Sequence, residues 1–369
     1  MAHQALYRKF RPIVFDDVIG QDAIVKTLVN QIKTDSINHA YLFSGSRGIG
    51  KTTCAKVFAR AINCLNPQNG SPCGKCKVCE ELSSLNNMDI LEIDAASNNR
   101  VDEIRELREK VKYPPVSGKY KVYIIDEVHM LTESAFNALL KTLEEPPSYV
   151  VFILATTEPH KLPATILSRC LRFDFKLVDE EVLIKNLKKV FDSNGITYDE
   201  ESLSLIAKGA EGSVRDSLTI AESVASFCQN QITLDKTKKV LGLNSFEENK
   251  QILTYIINKD LGNILQYVNS MYNQGVNLIV FTKNLLEYLR NLIVCKSCSN
   301  PNEILNIPQK DFDDILDFSK NIQNEQIIYY MSELSSIENN LKTSISPRLL
   351  VETTLIKIAS ISFEELKKN

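Results

Sequence analysis

Residues Gly45-Ser46-Arg47-Gly48-Ile49-Gly50-Lys51-Thr52 fill the pattern G-x-x-x-x-G-K-[ST] at every position. Glycines at those positions let backbone N–H groups curl around phosphate oxygens, and a following helix adds the positive end of its dipole. Lys51 is then placed to reach the β- and γ-phosphates of ATP, Thr52 to ligate Mg²⁺ through its hydroxyl, and Thr53 to extend the same binding turn. A chance glycine-rich turn is the plain alternative. The predicted strand before the motif and the predicted helix after it supply the context a phosphate loop requires. Downstream, the apolar run Val122-Tyr123-Ile124-Ile125 ends in Asp126-Glu127. Asp126 there can hold the magnesium through water, and Glu127 can orient and polarise an attacking water. A solvated acidic pair is the alternative, but beside a phosphate loop a second carboxylate points to hydrolysis rather than nucleotide retention. Strand Val151–Ala155 ends in Thr156-Thr157, hydroxyls suited to sensing a γ-phosphate or the attacking water, and equally ordinary β-branched strand residues. Arg169, in Ser168-Arg169-Cys170, and Arg215 are isolated cations, usually no more than solvated surface charge.

Cys64, Cys73, Cys76 and Cys79 have the spacing C-x₈-C-x₂-C-x₂-C. Four thiolates in one loop can surround a tetrahedral ion and leave no open position for substrate, which reads as structural Zn²⁺. Lys75 and Lys77 offset the negative charge of such a site. An iron–sulfur cluster is the rival, but the ferredoxin run places its fourth cysteine soon after the third, where Glu80-Glu81-Leu82-Ser83 stand here. Cys54, Cys170, Cys228, Cys295 and Cys298 read as small buried hydrophobes, and the four histidines are scattered and suggest no catalytic dyad.

The elements that must carry these residues follow from hydrophobic pattern. Ala40–Phe43, Ile90–Ile93, Val122–Ile125, Val150–Leu154 and Cys170–Phe173 are near-continuous apolar runs, as in strands buried on both faces of a parallel sheet. Amphipathic stretches such as 53–62 and 101–111 alternate with them, giving an α/β layer fold. Beyond residue 178 only helical stripes remain: Leu183, Ile184, Leu187, Val190 and Phe191, then Leu203, Leu205 and Ile206. A helix opened by the cap signature Ser213-Val214-Arg215-Asp216 follows. Ile264, Leu265, Val268, Met271 and Tyr272 continue the helical pattern toward the end, with an inter-helix loop expected at 297–304. The expected division is 1–178 for the sheet domain with a zinc-binding insertion at 62–80, 179–243 for a small helical domain and 244–369 for an all-helical domain.

At 369 residues the chain has room for two or three domains with full cores. Its composition, 44% hydrophobic and 24% charged, excludes disorder as the main state. The net charge of −3 excludes a strongly basic stand-alone nucleic-acid binder. Charge is uneven, however: 1–178 carries 23 Lys+Arg against 20 Asp+Glu, the remainder 20 against 26, so DNA contact belongs to the first part. Without a signal-peptide stretch or an apolar run near the ~18–20 residues that span a bilayer, a cytoplasmic protein with no membrane partner is expected.

On these residues the chain resembles the gamma/tau subunits of bacterial DNA polymerase III, the ATPases of the AAA+ clamp loader. The likeness rests on Tyr7-Arg8-Lys9-Phe10-Arg11-Pro12, the phosphate loop, the four cysteines, Glu92–Ser97 and Ile125–Met130. It continues through Asn137–Pro147, Leu154–Thr157, Ser168-Arg169-Cys170 and Gly212–Asp216. The resemblance implies an AAA+ P-loop sheet domain, a helical lid and an all-α collar that oligomerises. It implies that Arg169 is an arginine finger reaching the nucleotide of a neighbouring subunit, that Arg215 is the lid's γ-phosphate sensor, and that Thr157, ahead of Thr156, is the sheet sensor. Tyr7, Arg11, Pro12 and Val18 line the adenine pocket in such a protein, and Arg100, Arg105, Lys141 and Thr165 are candidates for DNA-backbone contact. Implied partners are delta and delta-prime subunits, further copies of the same chain, the ring-shaped sliding clamp (beta) and primed DNA. The setting is the polymerase III holoenzyme, with no polymerase active site in this chain. Phe10 departs from a common Trp, and Asn98 stands where some relatives are basic. A non-hydrolysing scaffold of the delta-prime kind is disfavoured by the intact Gly50-Lys51-Thr52 and Asp126-Glu127. A Holliday-junction motor is disfavoured by the four cysteines and Ser168-Arg169-Cys170. Longer family members continue into segments that tether helicase and polymerase, so the length leads us to expect a loader without that tether.

Overall fold

The computed structural model describes residues 5–81, 87–97, 101–242, 246–273, 276–305, 307 and 309–361. The chain divides into two compact units, Met1–Leu234 and Asp235–Asn369.

In the first unit the apolar runs become strands β1 (Ala40–Ser44), β2 (Ile90–Asp94), β3 (Lys121–Asp126), β4 (Val150–Thr156) and β5 (Leu171–Asp174). Among the described residues they form one parallel sheet in the order β2-β3-β4-β1-β5. β1 and β4 are buried at every position, as two-sided cover requires, and β3 is buried up to Ile125. The expectation of full burial fails for β2 and β5, whose residues are mostly half-buried or exposed. Both are edge strands, at the margin of the layers that cover the sheet.

The helices of this layer are α1 (Leu6–Lys9), α2 (Asp22–Lys33), α3 (Lys51–Asn63), α4 (Lys77–Glu81), α5 (Val101–Val111), α6 (Glu133–Glu144) and α7 (Ala164–Leu167). Strand alternation sorts the sheet's side chains into two cores. Tyr41, Phe43, Val122, Ile124, Val151 and Ile153 pack with Leu28 of α2 and Phe58 of α3. Leu42, Tyr123, Ile125, Phe152 and Leu154 pack on the other face with Ile104 and Leu107 of α5 and Leu139 of α6. Neither α1, which overlaps the Tyr7–Pro12 stretch, nor α2 shows a helical apolar stripe that the sequence pattern singled out.

α8 (Glu180–Asn194), α9 (Glu200–Gly209) and α10 (Val214–Phe227) follow within the same unit. Asp199 caps α9 by accepting the Ser202 N–H (2.7 Å), and Ser213 caps α10 by accepting the Asp216 N–H (3.2 Å). The second unit is helical, with Phe281, Leu285, Leu289, Ile315, Leu334, Val351 and Leu355 in its core. Ile264, Val268 and Met271 are buried, whereas Leu265 and Tyr272 face solvent. The expected loop at 297–304 is shorter than that: one helix runs through Ser297 and another occupies Pro301–Leu305, proline being tolerated in a first turn. Of the cysteines read as buried, Cys54, Cys228 and Cys295 are, while Cys170 and Cys298 are only half-buried. Among the described residues no helix is long and apolar enough to cross a membrane.

Candidate functional site

The glycine-rich turn joins the carboxyl end of β1 to the first residue of α3, so the helix N-terminus opens at the sheet's carboxyl edge. Gly48 has φ of +79°, and a Cβ there would lie 2.1 Å from the Ser213 hydroxyl oxygen, so only glycine lets α10 approach this closely. The Arg215 N–H donates to the Gly48 carbonyl (3.1 Å). Lys51 is 6% exposed, and its Nζ donates to the carbonyls of Gly45 (2.8 Å) and Ser46 (2.7 Å). Burial lowers the ammonium's pKa, opposed by the charges of Glu127 and Asp126. Thr52 Oγ1 donates to Asp126 Oδ2 (2.7 Å), which brings both magnesium candidates together. Arg11 Nε donates to Thr53 Oγ1 (3.2 Å), tying the N-terminal segment to the start of α3.

Glu127 follows β3 in the left-handed region (φ 47°, ψ 44°), a conformation that costs a non-glycine residue on the order of 1–3 kcal/mol. Its N–H donates to Asp126 Oδ1 (3.0 Å), and its Oε2 accepts the Thr157 hydroxyl proton (3.1 Å). Of the two threonines, Thr157 meets the second carboxylate, while Thr156 is fully buried beside His129. His129, which the sequence reads only as one of four scattered histidines, lies beside these groups. Its Nδ1 lies 3.0 Å from Thr156 Oγ1 and 3.5 Å from Glu127 Oε2, and its Nε2 lies 3.1 Å from Glu158 Oε2. The signal was its place two residues after Glu127. Its meaning needs β4, which brings Thr156 and Glu158 to it.

The Arg215 guanidinium lies 5.1 Å from the centre of the Tyr7 ring, and the Leu6 N–H donates to Glu222 of α10 (3.2 Å), so the N-terminal segment packs on α10. Buried Gln21 donates to the Lys176 carbonyl (2.7 Å) and accepts the Lys176 N–H (3.2 Å), holding the stretch that contains buried Val18. Pro12 is half-buried between these contacts. Exposed Ser46 and Arg47 line a cleft of about 500 Å³ with Leu177, Glu211, Ser213 and Asp216; Ile49 is buried beneath.

Arg169 is not among the groups gathered here. Its Nη2 pairs with Glu144 Oε1 (2.8 Å), and its Nη1 donates to the Thr165 carbonyl (2.7 Å) and Ser168 Oγ (3.3 Å). It precedes β5, whose Leu171 pairs with Tyr41, whereas the phosphate loop follows Ser44, the partner of Asp174. At ~3.3 Å per residue, parallel strands put Arg169 on the order of 15–20 Å from the loop along the strand direction. Among the DNA candidates, Lys141 on α6 and Thr165 on α7 are exposed, and Arg100 and the side chain of Arg105 lie outside the described residues.

The four cysteines converge where α3 ends and α4 begins. Their Sγ atoms all lie within 4.8 Å of one another, with Cys64–Cys76 and Cys73–Cys79 at 4.0 Å. Tetrahedral zinc with Zn–S near 2.3 Å needs sulfurs about 3.8 Å apart, so the residues fit the ion. The N–H groups of Cys73, Cys76 and Cys79 point at sulfurs (3.3, 3.3 and 3.4 Å), as around metal-bound thiolates.

Three family models match in sequence order. "DNA polymerase III, delta subunit" covers residues 20–179, "DNA polymerase III clamp loader subunit, ATPase lid domain" 183–230, and "DNA polymerase III subunits gamma and tau domain III" 232–368. DNA polymerase III subunit gamma of Buchnera aphidicola (subsp. Baizongia pistaciae) is 36% identical over 98% of both chains. Subunit tau of Bacillus subtilis is 39% identical over 99% of this chain, which spans 64% of that relative's length. A RuvB structure from Thermotoga maritima shares the fold at TM-score 0.50 and 19% identity, over 73% of this chain and 86% of its own.

Proposed function

We propose, from the premise that the chain belongs to the family of bacterial DNA polymerase III gamma and tau subunits, that it is an ATP-hydrolysing subunit of a clamp loader. The observation that carries this reading is the convergence of Lys51, Thr52, Asp126, Glu127 and Thr157 on one edge of the sheet. Lys51 turns from the loop carbonyls to the β- and γ-phosphate oxygens of ATP, and the N–H groups of 45–52 cradle the same phosphates. Thr52 and Asp126 would hold Mg²⁺, which supplies neutralising charge to the phosphates when bound. Glu127 draws the proton from a water as its oxygen bonds to the γ-phosphorus and the bond to the bridging oxygen of ADP breaks. Thr157 holds Glu127 and lies where it can sense the γ-phosphate. Tyr7, Arg11, Pro12 and Val18 form the adenine side.

Arg169 acts in trans on this reading. The sheet geometry supports it: the guanidinium starts at the opposite edge from its own phosphate loop, farther than an arginine reaches. Arg215 leaves the Tyr7 ring for the γ-phosphate, carrying the lid with it. Residues 1–178, 179–243 and 244–369 serve as ATPase domain, lid and collar. Cys64, Cys73, Cys76 and Cys79 would hold Zn²⁺, which supplies a structural cross-link when bound. Delta and delta-prime subunits, further copies of this chain, the sliding clamp and primed DNA are the partners. Lys141 and Thr165, with Arg100 and Arg105, are the proposed backbone contacts to DNA.

The test is Mg-ATP hydrolysis by the chain assembled with its delta and delta-prime subunits. Turnover should be weak without clamp and primed DNA and rise at least about 10-fold when both are added, well within the roughly 10³- to 10⁵-fold that an arginine finger can supply. An unchanged rate would leave a non-hydrolysing scaffold as the better reading.

A further inference from the structure

We infer that His129 is a positioning residue for Glu127, an assignment that rests on Glu127 being the carboxylate that activates water. Glu127 stands on a strained turn, and a glutamate side chain has three rotatable bonds, so its backbone alone does not aim its carboxylate. Two neighbours constrain it: the Thr157 hydroxyl at 3.1 Å and the His129 Nδ1 at 3.5 Å. Both fall on Oε2, leaving Oε1 for the attacking water.

The imidazole is itself held. Its side chain is 7% exposed, its Nδ1 is 3.0 Å from the hydroxyl of fully buried Thr156, and its Nε2 is 3.1 Å from Glu158 Oε2. The Glu158 N–H donates to the same Thr156 hydroxyl oxygen (3.0 Å), and Lys161 Nζ donates to Glu158 Oε2 (2.8 Å). His129 thus ties the end of β3 to the segment after β4 and presents Nδ1 to the one carboxylate whose direction matters for hydrolysis. The ring stands between the two acids, with Nδ1 toward Thr156 and Glu127 and Nε2 toward Glu158. Among the described residues the ring nitrogens meet Thr156, Glu127 and Glu158 and no residue of the phosphate loop, so its effect reaches the reaction through Glu127.

The experiment compares single-turnover Mg-ATP hydrolysis, binding of a fluorescent ADP analogue and the thermal midpoint for His129→Ala, His129→Asn and Glu127→Gln in the full chain. His129→Ala should slow hydrolysis about 10- to 100-fold, the cost of a misplaced catalytic group, with nucleotide affinity within about 3-fold of the parent. His129→Asn returns an amide N–H near the Nδ1 position without the Nε2 contact and should recover much of the rate. Hydrolysis at the parent rate in His129→Ala would overturn the assignment. So would a loss that tracks the thermal midpoint and is equal in the Asn variant, which means a structural role only. Glu127→Gln separates the premise: if it hydrolyses ATP normally, Glu127 is not the base and the assignment falls with it. If Glu127→Gln is inactive while His129→Ala is not, the assignment alone fails.

Discussion

Lys51 is the residue whose chemistry sequence and structure give in the same terms. The motif names it, and the fold buries it between the loop carbonyls and two carboxylates. Its two short bonds are of a kind phosphate oxygens can replace, and charge-assisted bonds contribute about 1.5–3 kcal/mol each. Lys51→Ala should therefore weaken ADP and ATP binding at least about 100-fold, read by fluorescent-nucleotide titration. Affinity within a few-fold of the parent would remove Lys51 from phosphate recognition. His129 is the opposite case. One histidine two residues past an acidic pair carries no pattern, because its partners Thr156 and Glu158 lie 27 and 29 positions on in sequence and meet it only when β4 pairs with β3. The phosphate loop and the acids were legible because local spacing determines them, and Thr157 was preferred over Thr156 only through the family resemblance; the group that aims Glu127 was not legible, because tertiary pairing brings it there.

At the scale of elements, continuous apolar runs located all five strands but not which two would be edges. That depends on strand order, which pattern along one chain does not contain. The cysteine segment shows the reverse, a local spacing that folds as read, with four sulfurs gathered between α3 and α4. The same α3 that ends at this cluster begins with Lys51 and Thr52, so the sulfurs gather at the far end of the helix that follows the glycine-rich loop. The purified chain should hold about one zinc, measured by elemental analysis, as a closed four-thiolate site does. Chelation should open residues 64–81 to protease while leaving the sheet's circular-dichroism signal in place. Because thiolates must be deprotonated to bind, retention should weaken as pH falls. Iron with visible absorption, or an unaltered digestion pattern after metal removal, would defeat the zinc assignment.

For the whole molecule the decisive relation is between two groups that one chain does not bring together. The resemblance named Arg169 as a finger, and the parallel register of β1 and β5 gives the physical reason it would serve a neighbour: it starts at the amino edge of the sheet, while the phosphate loop lies at the carboxyl edge. Within its own chain Arg169 is paired with Glu144, so a finger role in an assembly would exchange that ion pair for one with phosphate. An exposed pair of this kind is worth at most about 1 kcal/mol, a small term beside the charge-assisted bonds it gives way to. Each competent site would then need Lys51 from one copy and Arg169 from the next. Arg169→Ala chains alone should bind nucleotide normally and lose the stimulated turnover, and Lys51→Ala chains alone should not bind. Assembled together in one complex, the two variants should regain a fraction of the parent rate, because a site with Lys51 from the first and Arg169 from the second is whole. Hydrolysis measured across a series of mixing ratios should peak between the two pure assemblies. A flat, inactive series would mean that both residues serve the same chain's nucleotide, against the register of the sheet.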